Sequence, residues 1–244
     1  MTDLVYLHVP KTGGTYTARN GVLDPINDLN HSVFIDGNFD DKDYPPSPGY
    51  LAKMKKDVSV VNKPDRICFA TVRNPYSWLV SYWFHAGCNI PENENPSHYD
   101  YRLARKGFST FVEGIAKRDV GWPSKKFIHF AFFSYKGDFM IDRLIHQEDL
   151  DSELKELAAD YKLSYTPQDR VMVGKATKNY VDYYDDNLRS LVRDVWGREL
   201  ALFGYDFWGR NFTGILDKGI TEKHKEEIKY VWKTNILKIG EEAL

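Results

Sequence analysis

The sequence predicts an α/β fold in which a mostly parallel central sheet is flanked by helices. Two observations predict it. Strand-length β-rich runs alternate along the chain with stretches of helical period, and two of those runs end in a turn that opens directly into a helix. At 244 residues the chain is long enough to bury a substantial core, and one large domain is expected. That domain is placed over residues 1–209, with residues 210–244 as a helical extension packed on it.

Leu4 to Val9 is the first β-rich run; Pro10 ends it, and the segment after Gly14 opens a helix expected to reach Val22. From Asp24 to Pro64 the chain is rich in Asn, Asp, Pro and Gly, which marks a long loop. Ile67 to Val72 is a continuous apolar run of strand length, followed by Arg73, a helix cap at Asn74 and Pro75 at the first helical position. That helix should run to about His85, with a loop from Cys88 to Tyr101 and a helix from Phe108 to Lys117. Ile141 to His146 suits a strand, and Leu150, Leu154, Leu157 and Tyr161 mark the helix after it. Asp185 to Phe203 carries Leu188, Leu191, Val192, Val195, Trp196, Leu200 and Phe203 on one stripe, a core-facing helix. Thr221 should cap a last helix to about Lys238.

Lys and Arg number 33 against 35 Asp and Glu, so the near-neutral balance points to neither nucleic acid nor an acidic membrane as the main partner. Any anion site must be local. The two cysteines, Cys68 and Cys88, do not suggest a disulfide framework, because Cys68 lies in a buried strand. No basic leader and no long apolar stretch is read from the sequence, so a cytoplasmic protein without a membrane span is expected.

Pro10-Lys11-Thr12-Gly13-Gly14-Thr15 stands between a strand and a helix, where glycines let backbone amides approach an anion and the helix dipole adds positive charge. Lys11 supplies a mobile point charge, while Thr12 and Thr15 offer hydroxyl donors. The loop of nucleoside triphosphatases reads G-x-x-x-x-G-K-[ST]; here the lysine precedes the glycines. Gly174-Lys175-Ala176-Thr177 imitates part of that motif, but Asp169 stands where its first glycine should be. Taken alone, Pro10 to Thr15 also admits a reading as a tight strand-to-helix turn bearing an exposed lysine.

Arg73 to Trp83 forms a second constellation: a fixed positive fork at a strand end and, eight residues on, the hydroxyl of Ser81 in the second turn of the following helix. A guanidinium fork can hold two oxygens of a terminal phosphate while a hydroxyl serves the third. Together, His8 to Thr15 and Arg73 to Tyr82 resemble the two donor-binding motifs of sulfotransferases that use 3′-phosphoadenosine 5′-phosphosulfate, most closely the carbohydrate-type branch. Arg143 to Leu150 is similar to the family's strand-to-helix EDL element, and Tyr180 to Phe207 to its C-terminal YYDD…FGYDF helix.

The resemblance implies a P-loop-NTPase-like three-layer sandwich and a donor site in which Lys11, Thr12, Gly13, Gly14, Thr15 and Tyr16 surround the 5′-phosphosulfate. Arg73 and Ser81 would hold the 3′-phosphate, and Lys175 and Lys178 lie where relatives close a loop over the donor. The implied reaction is in-line transfer of a sulfuryl group to a hydroxyl of a glycan or small-molecule acceptor. Lys11 would stabilise the leaving group, and no metal is required. The acceptor hydroxyl needs a base: His31, in the loop where some relatives place a catalytic histidine, leads over Asp36 and His85. His85 reads first as a solvent-facing or capping histidine that interacts with the dipole of its own helix. Tyr44, Tyr50, Trp78, Trp83, Tyr99, Tyr101 and Trp122 offer rings for stacking on adenine or a sugar face. Two rivals stay open: a nucleotide-type kinase, which should need Mg²⁺ and ATP, and a non-catalytic module retaining the pocket.

Overall fold

The computed structural model describes residues 3–7, 9, 11–17, 28–29, 66–88, 99–118, 141–167, 179–216 and 220–226. In chain order the elements are β1 (Asp3–Leu7), α1 (Gly14–Thr17), β2 (Asp28–Leu29), β3 (Arg66–Val72), α2 (Pro75–Cys88), α3 (Tyr99–Arg105), α4 (Phe108–Ala116), β4 (Arg143–His146), α5 (Leu150–Asp160), α6 (Asp186–Phe203), β5 (Tyr205–Asp206) and β6 (Gly209–Arg210). Short 3₁₀ turns at Gln147–Asp149 and Tyr180–Tyr183 precede α5 and α6. The chain gathers into two compact units. One comprises Met1–Val72, His129–Val171 and Lys218–Leu244; the other, Arg73–Ile128 and Met172–Asp217. Residues 210–216 therefore stay with the second unit, whereas 220–226 belong to the first.

The first unit is built on a parallel sheet of order β2-β1-β3-β4, so the α/β class and the parallel pairing expected from the sequence are present. Leu7 pairs with Ala70, and Val72 with His146. The strands read as near-continuous apolar runs because both faces of β1 and β3 are buried: Val5, Leu7, Cys68, Ala70 and Val72 alternate with Tyr6 and Phe69. On one face Tyr6, Phe69 and Ile145 meet Leu150, Leu154, Leu157 and Ala158 of α5, together with Tyr16 of α1. This is the three- and four-residue stripe visible in the sequence. Each buried leucine of that stripe contributes about 1.5–3 kcal/mol.

Asp142 secures the entry to β4. Its Oδ2 accepts from the Cys68 amide at 2.8 Å, and its Oδ1 accepts from Lys225 Nζ at 2.7 Å. Burial of Lys225 works against its charge, but the hydrogen bonds and charges of Asp142 and Glu222 outweigh it and raise its pKa above 10.5. The helical residues 222–226 begin at Thr221, whose Oγ1 accepts from the His224 amide at 3.2 Å, the cap the sequence predicts.

In the second unit, Asn74 Oδ1 accepts from the Tyr76 amide at 3.0 Å and Pro75 opens α2, again as predicted. α6 is capped by Asp185, which accepts from the Leu188 amide at 2.7 Å, and is closed by Gly204 in the left-handed conformation at φ 71°. Its buried stripe includes Leu188, Val192, Trp196, Leu200 and Phe203, with one non-helical residue at Trp196. Four elements depart from expectation: β2 at Asp28–Leu29 lies inside the loop expected from Asp24 to Pro64, and α3, β5 and β6 are not expected from the sequence. α3 begins at Tyr99, inside the predicted loop, and β5 and β6 form a two-stranded antiparallel ribbon. Among the described residues no helix is long and apolar enough to cross a membrane.

Candidate functional site

The loop after β1 is shaped by two residues with positive φ, Lys11 at 68° and Gly13 at 98°. Alternation of this kind turns successive amides toward a common point, the geometry of an anion nest. Gly13 is required by its φ, which is unfavourable for any side chain, and it packs closely on Leu150: a Cβ there would lie 2.8 Å from Leu150 Cδ2. The Gly13 carbonyl then accepts from the amides of Tyr16 (3.0 Å) and Thr17 (3.1 Å), which starts α1. Lys11 is half-buried.

Thr12 has a different task from the one read in the sequence. It is fully buried, and its hydroxyl donates to the Val9 carbonyl at 2.7 Å rather than pointing to a ligand. Its oxygen lies 2.6 Å from Thr71 Oγ1, which in turn lies 2.8 Å from the Tyr6 hydroxyl. Each hydroxyl has one proton, so the direction of the chain is fixed. Thr12 gives its proton to Val9; Thr71 must therefore donate to Thr12, and Tyr6 to Thr71. This buried relay ties the loop to the ends of β1 and β3. What Thr12 can offer an anion is its backbone amide.

Tyr16 also serves packing. Its ring belongs to the core beneath α5, and its hydroxyl donates to Asp151 Oδ1 at 2.5 Å. The same carboxylate oxygen accepts from the hydroxyl of Tyr165. These two hydrogen bonds hold the Asp151 carboxyl below its ordinary value of 3.8. Burial, and then hydrogen bonding with Asp151 and Tyr16, push the Tyr165 hydroxyl far above the usual phenol range. Gly14 lies in the buried first turn of α1, while the Thr15 side chain, and with it the hydroxyl donor expected there, lies outside the described residues.

At the second junction, Arg73 Nε donates to Ser77 Oγ at 2.9 Å, and Ser77 Oγ donates to the Asn74 carbonyl at 3.1 Å. The guanidinium plane is thereby set by the first turn of α2. Ser81 is half-buried one turn later, and its hydroxyl has no hydrogen-bond partner among the described residues. The element resembling YYDD…FGYDF braces this helix start. Asn74 Nδ2 donates to the Asp206 carbonyl (2.8 Å), Tyr184 to that of Tyr76 (2.8 Å), and Tyr76 to that of Arg189 (3.0 Å). Tyr76, Tyr184 and Phe207 pack edge to face around these bonds. Tyr82 donates to Asp100 at 2.8 Å; burial, and then that carboxylate, raise its pKa well above the phenol value.

Of the rings offered for stacking, Trp78 is fully buried against Tyr82 and so supports α2 rather than a ligand, while Trp83 is half-buried and donates to the Ala104 carbonyl at 2.9 Å. Tyr101 is half-buried on α3. His85 is half-buried in the last turn of α2. His8, Pro10, His31, Asp36, Tyr44, Tyr50, Trp122, Gly174, Lys175 and Lys178 lie outside the described residues, as does the Tyr99 side chain. The residues that sequence reasoning missed are Thr71, Asp151 and Tyr165. Tyr16 and Asp151 are 135 positions apart, and no local pattern connects them.

The relay makes a sharp distinction between isosteres. Thr71→Val leaves the Tyr6 hydroxyl without its acceptor and Thr12 without its donor, and should cost about 1–3 kcal/mol by urea unfolding, whereas Thr71→Ser keeps both bonds and should cost less. Equal losses would show that the hydroxyl chain contributes nothing. The Asp151 carboxyl has a folded pKa below 3.8, so the stability linked to it is present above that value and is lost as pH falls through the depressed one. Tyr16→Phe combined with Tyr165→Phe should return the carboxyl toward 3.8 in a carbon-detected NMR titration.

Comparison of the chain with family models, with curated proteins and with solved structures finds no match. The functional reading rests on the two strand-to-helix junctions themselves.

Proposed function

We propose that the chain is a sulfotransferase that binds 3′-phosphoadenosine 5′-phosphosulfate and passes its sulfuryl group to a hydroxyl acceptor. The observation that carries the reading is the loop after β1, where positive φ at Lys11 and Gly13 accompanies a lysine placed before the glycines. It is supported by the Arg73 and Ser81 pair at the start of the helix following β3. Ligands of parallel α/β sheets bind outside the carboxyl ends of the strands, and β1 and β3 are parallel neighbours. The P-loop-NTPase-like three-layer arrangement and a cytoplasmic location belong to the same proposal.

In this reading the amides of Thr12, Gly13, Gly14 and Thr15 receive the 5′-phosphosulfate, and Tyr16 anchors the helix they open. Arg73 and Ser81 take the 3′-phosphate, with Lys175 and Lys178 closing over the nucleotide. The acceptor oxygen attacks sulfur in line. A new S–O bond forms as the bond from sulfur to the bridging oxygen breaks, leaving 3′-phosphoadenosine 5′-phosphate. Lys11 neutralises the charge that grows on that bridging oxygen, and the acceptor proton goes to a base, for which His31 is proposed. A sulfuryl group carries less negative charge than a phosphoryl group, so positioning and fixed charges suffice without a metal. The acceptor class, a glycan or a glycosylated small molecule, follows from the branch resemblance alone.

A preorganised charge of this kind is worth ~3 kcal/mol in the transition state, so Lys11→Ala should lower turnover at least ~100-fold. Arg73→Ala should instead abolish the preference for 3′-phosphoadenosine 5′-phosphate over adenosine 5′-phosphate in equilibrium binding. Near-normal turnover in the first variant, or an unchanged preference in the second, would remove the assigned roles.

A further inference from the structure

The described part of α1 is only four residues long, too short to hold its own direction in water, so whatever fixes its orientation must come from tertiary contacts. Two such contacts lie on consecutive residues at the start of α5. Leu150 is a steric stop: the loop packs so closely that a Cβ on Gly13 would come within 2.8 Å of it. Asp151 is a polar tie: its Oδ1 accepts from the Tyr16 hydroxyl at 2.5 Å and from the Tyr165 hydroxyl as well. The two phenol oxygens are 3.3 Å apart. One carboxylate therefore joins α1, α5 and the segment that follows α5, while Tyr16 keeps its ring 8% exposed in the core.

We propose that Asp151 is a positioning residue for the phosphate loop, holding Tyr16 so that the amides from Thr12 to Thr15 keep the direction an anion requires. The inference rests on the reading of this loop as the donor site and adds to it a residue that neither donor motif contains. The ring of Tyr16 is already buried by α5, so its hydroxyl is not needed for that burial; the hydrogen bond selects one orientation of α1 on α5. At neutral pH Asp151 is a carboxylate and only accepts, so both tyrosines donate and the arrangement has a single proton pattern. Leu150 limits approach and Asp151 limits departure, which together leave the loop little play.

Tyr16→Phe, Asp151→Asn and the double variant test this with two readouts on the full chain. Hydrogen exchange of the amides from Thr12 to Thr17 should quicken in all three. Affinity for 3′-phosphoadenosine 5′-phosphate, measured by calorimetry well below the melting transition, should fall about tenfold in Tyr16→Phe, the loss expected for a charge-assisted hydrogen bond, and by less in Asp151→Asn, whose amide oxygen still accepts from both tyrosines. The double variant should be no weaker than the worse single one. A lower melting temperature with wild-type affinity and wild-type loop exchange would mean that the cluster only stabilises the fold, and would overturn the proposal. If the wild-type chain binds no nucleotide, the donor-site reading fails, and the exchange data alone decide whether Asp151 positions the loop. Should Asp151→Asn fail to fold, Tyr16→Phe, which keeps the buried ring, carries both measurements.

Discussion

If the loop after β1 offers its amides to an anion, as proposed, it has to be held in place by something other than those amides. The 2.6 Å contact between Thr12 and Thr71 meets this need, because it fastens the loop to the neighbouring strand through a side chain. The rest of the first unit depends on it. The Thr71 hydroxyl can reach Thr12 because β1 and β3 pair in parallel, and the pairing is stable because both faces of these strands are buried. The relay has no spare proton and no unmet oxygen along the chain from Tyr6 to Val9, which is the condition under which a buried polar network specifies a unique arrangement.

The two junctions follow one logic with different materials. After β1, the loop is bent by Lys11 and Gly13 and clasped from α5. After β3, the helix start is capped by Asn74, and its first-turn carbonyls receive Tyr184 and Ser77. Part of the support comes from outside the two donor motifs: from Tyr184, in the segment resembling the YYDD…FGYDF helix, and from Asp151, the residue that follows the EDL element. Their contribution is to position the residues proposed to touch the nucleotide.

Much of this architecture was legible in the sequence. An apolar run followed by Asn-Pro predicts a strand, a cap and a first helical turn at 74–75, and the Leu150, Leu154, Leu157 spacing predicts the face that covers the sheet. Short elements were not legible. β5 and β6 are two residues each, below any detectable alternation, and α3 follows Asn-Glu-Asn-Pro punctuation that reads as loop. At the site, the lysine-before-glycine order could be read directly, but the burial of the Thr12 hydroxyl and the tie from Tyr16 to Asp151 arise from contacts between distant segments. A threonine in an anion loop carries no mark of whether its hydroxyl faces the ligand or the core.

A loop that serves a sulfuryl-donor nucleotide should distinguish it from a triphosphate. The most direct measurement is calorimetric titration of the wild-type chain with 3′-phosphoadenosine 5′-phosphate in the presence of a metal chelator, set beside ATP with Mg²⁺. The proposed donor site should bind the bisphosphate saturably without metal and ATP no more strongly; preference for Mg²⁺-ATP would rule it out.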